Sequence, residues 1–170
     1  MKNLITKLSA LILVALFGLN ACSDDDDASA TCENGSLEMT VNGEVVTATS
    51  FNNTLLKGNS AGSDGKRMDI RATDAEGRQL IITFTDLSTG LEGNGVSTDE
   101  YISSSDVVTG TENVFLFTII ENNVSEMFTQ GSLDVTSSDG QRVSGTFSFS
   151  HGDLEVTNGS FTDMCYTVLQ

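Results

Sequence analysis

Three cysteines, at positions 22, 32 and 165, and a single histidine, His151, are the side chains best equipped for covalent or acid–base chemistry. His151 begins a His-Gly-Asp turn signal, and no partner stands at a spacing that would make it a base or a metal ligand. Residues 58–62, Gly-Asn-Ser-Ala-Gly, match the nucleophile-elbow pattern. That pattern needs a strand before it, a helix after it and a histidine base, and no helix is readable there. Gly90, Gly93 and Gly95 could cradle a phosphate only ahead of a helix N-terminus, and Val96-Ser97-Thr98-Asp99 follows instead. Asp74 and Glu76 share a hairpin turn with Gly77, and Asp64 and Asp69 are near in sequence. Calcium takes six to eight oxygens, and no EF-hand loop is present. No catalytic residue and no metal ligand is assigned on these grounds, and no cofactor is expected. A structural calcium is what the acidic turns could serve, with solvated turns as the simpler reading.

Cys22 stands apart because of what precedes it. Lys2 and Lys7 lead into an apolar run over residues 8–19, too short to span a bilayer and shaped like a secretory signal. The run ends Leu19-Asn20-Ala21-Cys22, which resembles the lipobox of bacterial lipoproteins, with Asn20 departing from the commonest pattern. The resemblance implies cleavage between Ala21 and Cys22 and lipidation of the Cys22 thiol. Two or three acyl chains, at roughly 0.8 kcal/mol per buried CH₂, make a stable anchor. Ser23, Asp24, Asp25, Asp26 and Asp27 follow at once. As a block of like charge they read as a solvated linker. They also resemble the surface-export signal of Bacteroidota lipoproteins, which implies an outer-membrane, surface-exposed location. The organisation expected is a signal peptide over 1–21, a lipidated acidic tether over 22–34 and one domain over 35–170.

Removing Lys2 and Lys7 takes the formal charge from −16 to −18. Such a chain repels nucleic acid and anionic headgroups, which excludes nucleic-acid binding and leaves basic partners or divalent cations. With Cys22 lipidated, Cys32 and Cys165 remain as a pair near the two ends of the domain, and in an oxidising envelope they are expected to form a disulfide. Tyr101 lies in a long loop region and is the candidate for ligand contact. Trp is absent and only Tyr101 and Tyr166 carry a phenol, which weakens a sugar platform built on ring faces.

These residues must be positioned by strands, because no stretch of the mature chain shows a helical period. Leu37, Met39 and Val41 alternate with polar residues into Asn42-Gly43, a hairpin turn. Met68-Ile70-Ala72 and Leu80-Ile82-Phe84 flank Ala75-Glu76-Gly77 as a second hairpin. Residues 113–120 are apolar on both faces, the mark of a central strand. Val143, Gly145, Phe147 and Phe149 alternate strictly with Ser and Thr. Ser138-Asp139-Gly140, His151-Gly152-Asp153 and Asn158-Gly159 read as turns, and residues 57–66 and 87–113 as long loops. The spacing predicts an all-β domain, an antiparallel sandwich of roughly eight to ten strands, with an up-and-down barrel as the alternative.

Residues 131–135, 143–150 and 156–161, with the hairpin from Met39 to Gly43, resemble an uncharacterised domain family of Bacteroidota lipoproteins. The resemblance covers most of the mature domain and implies no activity or site residues. The functional expectation is a surface-anchored, non-enzymatic module that binds a protein or glycan partner or serves the envelope. The alternative is a small-ligand-carrying barrel, and an envelope hydrolase, which would need converging carboxylates, is the third reading.

Overall fold

The structure, a computed structural model, describes residues 32–33, 35–60, 63–106 and 112–169. The domain is all-β, and no helix occurs among the described residues. Its strands are β1 (Ser36–Val41), β2 (Glu44–Thr47), β3 (Ser50–Phe51), β4 (Thr54–Ser60), β5 (Ser63–Thr73), β6 (Gln79–Asp86) and β7 (Glu100–Ser103), then β8 (Val114–Glu121), β9 (Val124–Phe128), β10 (Gly131–Ser138), β11 (Arg142–His151), β12 (Leu154–Cys165) and β13 (Thr167–Leu169). They pair in the order β13-β4-β5-β6-β8-β7-β10-β11-β12-β1-β2, with β3 added to β5 and β9 to β8. The result is one large sheet that curls into a half-barrel. Most pairings are antiparallel, but β7 runs parallel to β8 and β13 parallel to β4.

The turns follow from residues that tolerate a left-handed backbone. Asn42 and Gly43 have φ of 48° and 88° and close the β1–β2 hairpin. Asn122 and Asn123, at 52° and 63°, do the same between β8 and β9. At the β5–β6 turn the Asp74 carboxylate accepts from the backbone N–H groups of Glu76 (3.1 Å) and Arg78 (2.8 Å). Asp139 likewise accepts from Gln141 N–H at 2.9 Å and Arg142 N–H at 2.7 Å between β10 and β11.

Four local expectations are corrected, the first being the loop expected over 87–113, which carries strand β7 (Glu100–Ser103), paired with β8 and β10. Residues 57–60 and 63–66 are strand and not loop: Lys57, Gly58, Asn59 and Ser60 pair with Lys66, Gly65, Asp64 and Ser63 between β4 and β5. Asn158-Gly159 is not a turn but part of the bulged strand β12, whose register slips between Phe147 and Phe149 of its neighbour. His151 pairs with Leu154 as the last residue of β11, leaving Gly152 and Asp153 to make the turn. Bulges bend and twist a strand, which is how β12 helps curl the sheet.

The curl brings the inner faces of β8 and β11 together. Phe117 stacks on Phe149 with ring centroids 4.4 Å apart, and it also meets Phe115 at 5.1 Å and Phe147 at 5.7 Å. Two glycines make room for this packing. A Cβ on Gly145 would stand 2.4 Å from the Asp134 carbonyl and 2.4 Å from the Phe161 ring. One on Gly159 would stand 2.5 Å from the Phe147 ring. Each ring thus lies over the glycine paired with it on the neighbouring strand.

Cys32 and Cys165 are disulfide-bonded. Just beyond Cys165 the chain leaves β12 for β13. Asn53 clamps this crossing: its side-chain N–H donates to the Cys165 carbonyl at 2.8 Å, its carbonyl accepts from Thr167 N–H at 3.0 Å, and its Oδ1 accepts from Arg71 N–H at 3.2 Å.

Candidate functional site

Between the two inner faces, a cleft of about 380 Å³ is left unfilled. One wall is the inward side of β1, where the period of two places Leu37, Met39 and Val41 in a row, extended by Val46 and Ala48 after the β1–β2 turn and by Leu154 at the start of β12. The other wall is a rung across three strands: Ala72 of β5 pairs with Leu80 of β6, and Leu80 with Ile119 of β8. The rung continues onto β9, where Ile119 pairs with Glu126 and Val124 with Glu121. Gln79, Asn122 and the Asp74–Arg78 pair complete the lining. The volume falls in the range of small-molecule sites, as does the aliphatic lining with a few polar groups at its rim.

The electrostatics of the cleft are acidic. Arg78 is the single cation among the described lining residues, and its Nε donates to Asp74 Oδ2 at 2.8 Å. Asp74 is buried and the Arg78 side chain mostly so, so the pair is locked into the turn. Glu121 and Glu126 stand exposed at the rim with no ion pair among the described residues.

A second polar centre organises the loop from residue 87 to 99. Asp86 is fully buried and accepts from Ser88 N–H (2.9 Å) and Oγ–H (2.8 Å), Thr89 N–H (3.2 Å), the Thr89 hydroxyl and Ser97 N–H (2.8 Å). Burial pushes its carboxyl up, but the hydroxyls of Thr89 and Ser88 and the backbone N–H groups outweigh it and hold the group below the usual aspartate range. Beside it, the buried Lys66 ammonium donates to the carbonyls of Glu92 at 2.6 Å and Gly95 at 2.5 Å. Burial lowers the Lys66 pKa, with Asp86 opposing that shift. Held by these two carbonyls, the ammonium ties β5 to the loop, which makes the centre a structural staple.

Asp86→Asn is expected to cost about 1.5–3 kcal/mol near neutral pH, the range for hydrogen bonds to a charged group. A carboxyl held low in the folded state stabilises fully above its unfolded value of 3.8 and loses that contribution as pH falls through the folded value. The gap between the two proteins in urea unfolding should therefore narrow below pH 3.8. A gap that stays constant into acid would show that the charge on Asp86 is irrelevant.

The candidates from sequence are placed as follows. Ala21, Cys22, Ser23, Asp24, Asp25, Asp26 and Asp27 lie outside the described residues. Tyr101 is buried at 1 % exposure, packs edge-on to Phe84 at 5.1 Å, and shares hydrogen bonds with Ser97. Its ring belongs to the core because β7 carries it inward, so it presents no face to a ligand. His151 sits at the exposed end of β11, edge-on to Phe128 at 5.8 Å. Gly58 and Ser60 are in β4, and strand β5 follows where a nucleophile elbow requires a helix. Asp69 and Asp74 are taken up by Arg67, Arg71, Thr83 and Arg78. Among the described residues no group of three or more His, Cys, Asp or Glu is arranged to hold a metal ion.

The cleft itself is not among the sequence candidates. Its apolar residues come from seven strands, with Ala48 between β2 and β3, and read individually as ordinary positions of an all-β domain. The available signal is the adjacent pair Val45-Val46 on an edge strand, one apolar residue more than a single buried face requires. Comparison with protein-family models, with curated proteins and with solved structures finds no match to the chain.

Proposed function

We propose that this chain is an exported, lipid-anchored, non-catalytic binding module of the bacterial cell envelope, and that its ligand enters the cleft between β1 and the Ala72–Leu80–Ile119 rung. The cleft carries the reading. An aliphatic hollow of about 380 Å³ is where a small apolar body gains most by leaving water. This favours the small-ligand reading over a flat protein- or glycan-binding face. Among the described residues that line the cleft none is aromatic, so they offer sugar stacking no platform. Glu121 and Glu126 are exposed rim residues, not buried acids of the kind that hold a proton for glycoside hydrolysis. The lipobox-like Leu19-Asn20-Ala21-Cys22 and the acidic run from Ser23 to Asp27 support the anchored, surface-exposed location.

Two measurements test this. A neutral apolar dye, phenylnaphthylamine, should bind at one saturable site and lose it when the cleft is filled by Ala72→Phe on one wall or Val46→Phe on the other. Binding that survives both substitutions in folded protein would place the dye elsewhere and remove the proposal. For the anchor, Cys22→Ala should abolish fatty-acid labelling in cells and leave the precursor uncut. Label retained in the variant would overturn the lipoprotein assignment.

A further inference from the structure

The charge around the cleft narrows the ligand further. The apolar rung ends on carboxylates: across the sheet the order is Ala72, Leu80, Ile119 and then Glu126, with Glu121 paired to Val124 one rung along. Adjacent strands are about 4.8 Å apart, so Ala72 and Glu126 are separated by three strand spacings, about 14 Å. A molecule lying along the rung would have its body on aliphatic side chains and one end beside two exposed carboxylates. By the β6–β8 register Arg78 stands across from Glu121, but its charge is already balanced by Asp74, which is bonded to its Nε at 2.8 Å, so the four charged lining residues keep a net negative sign. The formal charge of the whole chain, −16, adds a field of the same sign as the rim.

We propose that the cleft takes an amphiphile with a linear aliphatic body and a positively charged head, a long-chain amine or alkylammonium compound, seated with the head between Glu121 and Glu126. This rests on the cleft being the binding site. The aliphatic body supplies most of the affinity and the two carboxylates supply the discrimination. The same charges disfavour fatty acids, phosphate-headed lipids and the chain's own acidic run at Asp24 to Asp27.

The test compares three probes with one dodecyl chain, each below its micelle concentration and at low salt, by titration calorimetry on the full mature chain: dodecyltrimethylammonium, dodecyl maltoside and dodecyl sulfate. The expected order is ammonium tightest at one site per chain, maltoside weaker by roughly tenfold for the loss of two exposed charge pairs, and sulfate weakest. The double variant Glu121→Gln, Glu126→Gln should bring the ammonium probe down to the maltoside level and leave maltoside unchanged. Equal binding of the three probes, or sulfate tightest, overturns the charge assignment while leaving the cleft as a site. Ammonium binding that persists in both Ala72→Phe and Val46→Phe shows general attraction to an acidic surface and also overturns it. If no probe binds at all, the cleft reading itself falls.

Discussion

Replacing both Cys32 and Cys165 with serine is expected to lower the stability of the domain by about 4–5 kcal/mol. The bond closes a loop of about 130 residues, nearly the whole folded chain, and the chain-entropy model assigns loops of that length this value. A domain of this size has a total stability of about 5–15 kcal/mol, so the loss removes a large share of it. The location adds to the effect. Cys165 ends β12 just before the chain crosses to β13, and the Asn53 clamp depends on the Cys165 carbonyl being in place. Urea unfolding of the two proteins under non-reducing conditions measures the difference as a lower midpoint in the serine variant, with a steeper slope because its unfolded chain is less compact. Removing both sulfurs avoids a stray thiol that could cross-link chains. An unshifted midpoint would show that strand pairing alone holds the two ends, and that the unfolded chain gains no freedom when the bond is lost.

The second large effect is expected at Phe117. It is fully buried and touches Phe115, Phe147 and Phe149, which ties β8 to β11 across the core. Phe117→Ala removes the ring and leaves a void that its neighbours, rings themselves, cannot close. The expected cost is about 3–5 kcal/mol. Met127→Ala, at a side chain 71 % exposed on β9, is the control and should change stability by no more than about 0.5 kcal/mol. Similar losses at the two positions would mean that the aromatic stack does not hold the layers together.

The all-β class and several hairpins could be read from the chain because they depend on local rules. Asn42-Gly43 and the Asp74–Gly77 turn close where their backbone preferences require. Phe115, Phe117 and Ile119 lie inward on a strand that has neighbours on both sides. The readings that missed failed for identifiable reasons. The β4–β5 pairing is hidden because Gly58 faces Gly65 and charged residues surround them, which resembles a loop in composition. Gly65 is required there because a Cβ would stand 2.8 Å from the Asp86 carbonyl, a constraint set by a distant segment. Asn158 with its φ of 51° reads equally well as a turn or a bulge, and only the partner strands decide. β9 is concealed behind Asn122-Asn123, a hairpin turn less familiar than Asn-Gly, and its outward Met127 breaks the alternation expected of a half-buried strand. The cleft was illegible for a different reason. Leu37, Met39 and Val41 show the inward period of two whether or not anything fills the space opposite them. A pattern reveals which side chains face inward, and the distance between facing layers is set by how strongly the whole sheet curls.

The most direct test of the account is methyl NMR of the labelled protein titrated with dodecyl maltoside below its micelle concentration. The account predicts saturable shifts confined to the methyl groups lining the cleft, those of Met39, Leu80, Ile119 and Leu154, with Leu133 and Val143, buried outside the cleft lining, unmoved. Shifts centred on the outward-facing Val45 and Met127, or spread over the whole surface without saturation, would contradict it.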